Sequence, residues 1–260
     1  MLDRAITLVA QARTLLVVSD FDGTLAGFST DPMNAPVNTA ATDALQGLAN
    51  LPSTEVGILS GRAMTALREL CPLTEPVIFA GSHGAESSSH GIERTAEMTR
   101  TLDAIEADML EIRESTDALV ERKPFQIVFH TARVAEQDPE ASEALLARAA
   151  ESDPRGAHMM RGHNIVEFSV ANINKGTWIA AERDRLGADA VVFIGDDTTD
   201  EFGFAVLGDD DLSVKVGSGD TRAHERVDSI DDVADVFSRV LEERRQWFLE
   251  RTLSSESSEE

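Results

Sequence analysis

Apolar runs of strand length alternate with helical patterns through the first third of this 260-residue chain. Strand-like stretches at 14–19, 55–59 and 77–80 are separated by amphipathic segments near 37–50 and 62–70. The last third repeats the rhythm. There "KGTWIAAERDRLG" reads as a helix, "AVVFIG" as a buried strand, "DEFGFAVL" as a short helix, "LSVKV" as a strand, and about 231–249 as a closing helix. Such alternation predicts a parallel sheet with crossover helices. The two stretches, 1–87 and 169–250, therefore read as halves of one doubly wound α/β core.

Between them, from 88 to 168, the character changes. An amphipathic helix near 95–113, strands at "DALVERK" and "FQIVFHTA", a helix near 139–150 and a hairpin "HMMRGHNIVEFSV" turning at "RGHN" predict an antiparallel sheet with helices on one face. This is the pattern of an inserted α+β domain. Residues 251–260 end in the polar, acidic "LSSESSEE", which has no periodicity and is expected to be disordered. Trp178 and Trp247 fall on helix faces and read as core, and Phe28 and Phe125 read as packing residues.

Composition narrows the function. A net charge of -24 argues against nucleic acid and against anionic membranes, because both need basic patches. The single cysteine, Cys71, excludes an internal disulfide and has no neighbour at metal-site spacing. No segment approaches the roughly 20 apolar residues that span a bilayer, and "MLDRAITLVAQAR" lacks the pattern of a secretory signal. A soluble, cytoplasmic, monomeric protein is expected. Only Lys123, Lys175 and Lys215 are lysines, so a site for an anionic substrate must build its positive potential locally.

In doubly wound sheets ligands bind beyond the carboxyl ends of the strands. Asp20 and Asp22 end the first strand, Ser60 ends the second in "GILSGR", and "GDDTTD" ends "AVVFI". Lys175 opens a helix in "NINKG" and can point into the same crevice. Carboxylates gathered at one point repel unless a divalent cation neutralises them, and Mg²⁺ prefers one or two carboxylates, waters and a substrate phosphate. The one-residue gap between Asp20 and Asp22 lets one act as nucleophile while the other reaches the leaving group. Read singly these residues have plainer roles: "DGT" is a common turn, and Asp197 or Asp200 could cap the following helix.

Taken in order, "DFDGTL", Ser60, Lys175 and "GDDTTD" resemble the four motifs of the haloacid dehalogenase (HAD) superfamily. The chain is similar, more narrowly, to the trehalose-6-phosphate phosphatase family. That likeness rests on "ILSGR", "AGSHGAE", "VERKPFQIVFH", "VEF" followed by "NKG", and "GDDTTDEFGFAVL". It implies a HAD-like core with a C2-type cap and a Mg²⁺-dependent phosphatase acting on a small sugar phosphate. The reaction would be hydrolysis of trehalose 6-phosphate through an aspartyl phosphate, the last step of trehalose biosynthesis. By the same likeness Asp20 is the nucleophile and Asp22 the acid and base, while Ser60 and Lys175 bind the phosphoryl oxygens. Mg²⁺ would be held by the Asp20 side chain, the Asp22 carbonyl and Asp196, with Asp197 and Asp200 supporting. Lys123 and Glu167 of the cap would bind glucose hydroxyls, with Arg62 and His83 contributing from the core. His130 falls in a matching stretch, and Arg133 stands one place later than the family pattern has its arginine.

Three other readings share these residues: a HAD phosphatase for another sugar phosphate such as sucrose phosphate or a phosphomannose, a phospho-acceptor signalling domain, and an inactive regulatory subunit. The order of the motifs and the inserted domain weigh against a receiver.

Overall fold

The computed structural model describes residues 1–29 and 32–256. Its contacts divide the chain into two compact units, Met1–His90 with Ile173 onward, and Gly91–Asn172.

The first unit begins with α1 (Leu2–Ala10), β1 (Leu15–Ser19), α2 (Thr39–Ala49), β2 (Thr54–Leu59), α3 (Met64–Leu70), β3 (Ile78–Gly81) and β4 (Glu86–Ser87). The second unit holds α4 (Ala96–Arg113), β5 (Leu119–Arg122), β6 (Gln126–His130), α5 (Ala132–Ala135), α6 (Pro139–Ala150), β7 (His158–Gly162) and β8 (Ile165–Ser169). The chain then returns through α7 (Lys175–Leu186), β9 (Ala190–Gly195), α8 (Glu201–Phe204), β10 (Leu212–Val216), β11 (Glu225–Val227) and α9 (Ile230–Glu256).

The strands of the first unit form a seven-stranded sheet in the order β11-β10-β9-β1-β2-β3-β4. All neighbours are parallel except β3 and β4. Because side chains alternate along a strand, the apolar run of β1 serves both faces. Leu15 and Val17 pack with Val56, Ile58, Val192 and Ile194 against the helices α1, α2 and α9, while Leu16 and Val18 join Phe193 and Leu59 beneath Trp178 and Ile179 of α7. Cover on both faces is why these strands read as continuous apolar runs.

The second unit is a four-stranded antiparallel sheet, β5-β6-β8-β7. Ile127, Phe129, Val166 and Phe168 on one face pack against Leu102, Ile105 and Met109 of α4 and Leu145, Leu146 and Ala149 of α6. The alternation sends Gln126, Val128 and Glu167 to the other face.

The fold is mixed α/β as the sequence predicts, with three local corrections. The closing helix α9 runs to Glu256, so residues 251–256 are helical where disorder is expected; 257–260 lie outside the described residues. Arg251 stacks on the ring of Trp247 at 4.8 Å, and Thr252 Oγ1 donates to the Phe248 carbonyl at 3.0 Å. These contacts one turn apart prolong the helix past the last core residue. Trp247 is accordingly half-buried between arginines rather than core, whereas Trp178 is fully buried. Phe28 is 81% exposed on the loop after Ala26 and does not pack in the core; Phe125 does.

Candidate active site

Parallel register determines which residues meet beyond the carboxyl ends of the strands. Ser19 of β1 pairs with Ile194 of β9 and with Ile58 of β2, so the next residues, Asp20, Gly195 and Asp196, emerge together with Ser60 close by. The Asp20 amide still donates to the Ile194 carbonyl at 2.9 Å, which carries the sheet order one residue past β1.

The turn after Asp20 closes on Gly23, whose φ of +77° lies in the left-handed region. A Cβ there would stand 2.2 Å from Asp196 Oδ2, so position 23 must be glycine for the β9 carboxylate to reach the end of β1. Lys175 opens α7, whose start is held by a reciprocal cap: Asn174 Oδ1 accepts from the Thr177 amide at 3.0 Å and Thr177 Oγ1 accepts from the Asn174 amide at 2.9 Å. Its Nζ reaches Asp20 Oδ1 and Asp200 Oδ1, both at 2.7 Å, and all three residues are buried.

Oxygens of Asp20, Asp196 and Asp200 lie within 4.8 Å of one another. Asp200 also accepts from the amides of Asp196 at 3.0 Å and Asp197 at 2.9 Å, which folds the "GDDTTD" loop around its carboxylate. Burial pushes the Asp20 carboxyl well above its ordinary pKa; Lys175 opposes this, and repulsion from Asp200 and Asp196 adds to it. Burial, then Asp200 and Asp197, raise Asp196 to about 6. Burial works to lower the Lys175 pKa, but attraction from Asp20 and Asp200 outweighs it and holds that pKa above its ordinary value. Asp196 Oδ1 is buried and lacks a hydrogen-bond partner among the described residues. An unsatisfied carboxylate oxygen beside two more acids fits a hard divalent cation with oxygen ligands.

The other expected residues are distributed as follows. Asp197 is exposed and its Oδ1 accepts from the Thr198 amide at 2.7 Å, so it caps its own turn and stands outside the three-acid group. Asp22 is clasped by Arg62, with Nε to Oδ2 at 2.7 Å and a terminal nitrogen to Oδ1 at 2.6 Å. Arg62 thus meets the second acid of the motif, a pairing the sequence does not suggest. Ser60 is buried, and its Oγ accepts from the Arg62 amide at 3.1 Å. His83, at φ +56°, lies over Gly61, where a Cβ would come within 2.6 Å of its ring. Glu86, not singled out in the sequence, steadies this loop by accepting from Ser82 Oγ at 2.7 Å and from the Met64 amide at 3.2 Å.

A separate polar cluster occupies the face of the second sheet opposite its apolar core. Register pairs Val128 with both Glu121 and Glu167, which puts the two acids on the face opposite the core. Gln126 Nε2 donates to Glu167 Oε1 at 3.0 Å, and His130 Nε2 lies 2.9 Å from Glu121 Oε2. Glu167 is buried, and its pKa is raised first by burial; Lys123 and His130 counteract this and Glu121 reinforces it. Lys123, His130 and Glu167 therefore lie in one cluster, with Glu121 and Gln126 as unforeseen members. Glu121 lies on β5 two residues before Lys123, which directly follows the strand, a spacing that could have revealed it. Arg133 lies exposed on α5, beyond the end of β6, and has no hydrogen bond or ion pair with this cluster among the described residues.

Comparison with known proteins gives the family. Over 241 residues the chain is 33% identical to the trehalose-6-phosphate phosphatase of Escherichia coli (strain K12), covering 87% of this chain and 88% of that one. It is 30% identical over 229 residues to the bifunctional trehalose-6-phosphate synthase/phosphatase of Thermoproteus tenax, covering 84% of this chain and 30% of that longer protein. The fold matches the C-terminal domain of C. albicans trehalose-6-phosphate phosphatase with a TM-score of 0.72 at 19% identity, covering 92% and 96% of the two chains. The family model for trehalose-phosphatase matches residues 18–234, and the chain belongs to that family.

Proposed function

We propose that this protein is a Mg²⁺-dependent phosphatase that hydrolyses trehalose 6-phosphate to trehalose and inorganic phosphate. The observation that carries the reading is the convergence of Asp20, Asp196 and Asp200 on one point, with the Lys175 ammonium 2.7 Å from two of them.

Asp20, Asp196 and the main-chain carbonyl of Asp22 would hold the cation. When bound, it supplies positive charge against the phosphoryl oxygens and offsets the repulsion between the acids. The chain's own groups do the rest. A carboxylate oxygen of Asp20 attacks phosphorus and the bond to the sugar oxygen breaks, which divides one hard hydrolysis into two steps. Asp22 gives its proton to the departing sugar oxygen, then takes one from the water that cleaves the aspartyl phosphate. Lys175 and Ser60 bind the oxygens of the transferring group. Asp200 does not touch substrate in this scheme; it fixes Lys175 and the Asp196 loop. In the second unit Lys123, Glu167, His130 and Glu121 offer a cation, carboxylates and an imidazole to sugar hydroxyls, with specificity arising because a mismatched hydroxyl leaves such groups unpaired.

Phosphate release from trehalose 6-phosphate, sucrose 6-phosphate, mannose 6-phosphate and glucose 6-phosphate, with Mg²⁺ and with chelator, tests this. The expected result is a marked preference for trehalose 6-phosphate, lost with chelator and abolished in Asp20→Asn. Equal turnover across the panel would remove the trehalose assignment.

A further inference from the structure

Of the chain's three lysines, Lys175 and Lys123 belong to the clusters described above. The third, Lys215, lies on β10 in register with Gly195, the residue before Asp196. It is buried, 5% exposed, in a strand whose alternate residues Leu212, Val214 and Val216 all face the core. An ammonium is costly in such a place unless it is hydrogen-bonded and paired with opposite charge. Lys215 donates from Nζ to the main-chain carbonyl of Asp196, and its charge also attracts that residue's carboxylate.

The peptide units around Asp196 are thus held from two directions. On the amide side, Asp200 Oδ2 accepts from Asp196 and Asp197. On the carbonyl side, Lys215 donates to Asp196. With both ends of the residue fixed, the Asp196 side chain is directed toward Asp20 and Asp200, and its buried Oδ1 is left for another partner.

We propose that Lys215 is a positioning residue for the cation site: it sets the orientation of the Asp196 carboxylate through that residue's carbonyl and places a second fixed positive charge behind three acids. The inference rests on the reading that these acids hold Mg²⁺. Groups that orient metal ligands without touching the metal typically change its affinity 10–100-fold when removed.

The test compares the parent with Lys215→Met, Lys215→Gln and Lys215→Arg in the full-length, substrate-free protein. The readout is the Mg²⁺ concentration giving half of the Mg²⁺-induced rise in melting temperature, with kcat and KM for trehalose 6-phosphate measured at saturating Mg²⁺. Lys215→Met is expected to raise the half-saturating Mg²⁺ concentration about 10-fold or more, with KM little altered. Lys215→Gln, a donor without charge, should shift in the same direction and remains readable if the methionine variant does not fold. Lys215→Arg should return Mg²⁺ affinity toward the parent value. A lower melting temperature with unchanged Mg²⁺ dependence in the Met and Gln variants would reduce Lys215 to a fold contact and overturn the inference. A parent protein showing no Mg²⁺-dependent rise would overturn the metal reading of the site, and this inference with it.

Discussion

Arg62 grips Asp22 through two hydrogen bonds, 2.7 and 2.6 Å long, in the fork geometry that an arginine offers a carboxylate. The clamp sets the direction of the group assigned to proton transfer. Lysine cannot reproduce the fork. Arg62→Lys is expected to lower kcat on trehalose 6-phosphate by about 100-fold, the usual scale for a misplaced catalytic group. Turnover of p-nitrophenyl phosphate, whose leaving group departs without a proton, should fall much less. Equal losses on both esters would reassign Arg62 to phosphate binding.

Asp196, raised to about 6 by burial and then by its acidic neighbours, makes metal-free stability depend on pH. In the unfolded chain its pKa is about 3.9. Between these values the folded state holds more protons than the unfolded one, so this group's contribution to stability falls as pH rises from about 4 to about 6. Asp196→Asn removes the contribution. In chelator, the parent's melting temperature relative to the variant's should therefore drop across that window and level off above it; a flat difference would contradict the raised pKa. Protons also compete with Mg²⁺ for the carboxylate, so the Mg²⁺ needed for half-activity should climb below pH 6.

Glu167 is buried on the face of the second sheet opposite its apolar core, beside Gln126 and within the field of Lys123. Replacing it with glutamine keeps the size and removes the charge. Glu167→Gln is expected to raise KM for trehalose 6-phosphate by about 10-fold, the cost of one charged hydrogen bond to substrate, while p-nitrophenyl phosphate hydrolysis is nearly unchanged. Parallel losses would count against a sugar contact.

Arg244 is fully buried in α9 and donates to the carbonyls of Ala10, Ala12 and Ser53 and to Thr54 Oγ1. Burial lowers its pKa to about 10. One side chain thus joins the end of α1, the loop before β1 and the start of β2 to the closing helix. Arg244→Met strands several buried acceptors, and a loss of about 3 kcal/mol or more in urea unfolding is expected. Under conditions where the variant is folded, KM should match the parent.

Much of this architecture is legible in the sequence because burial leaves a periodic trace. The runs that become β1, β9 and the end of β2 are almost wholly apolar since both sheet faces are covered, and Asp20, Ser60 and Asp196 stand out by interrupting the pattern at strand ends. Lys175 is visible in the same way at the start of a helix. Pairings across sequence leave no such trace. Arg62 and Asp22 are 40 residues apart, and Lys215 answers a carbonyl, which every residue carries. Arg244 looks like any charge on an amphipathic helix until α1 and β2 supply its acceptors. Asp197 and Asp200 are alike in the motif; only the turn between them decides that one faces solvent and the other is buried against Lys175.

The reciprocal cap between Asn174 and Thr177 begins one residue after the chain crosses back at Ile173. Because those two side chains start α7 by themselves, the lysine behind them takes its register from the helix and not from whatever precedes it. A different insert grafted at this junction would therefore leave Lys175 in its place beside Asp20 and Asp200.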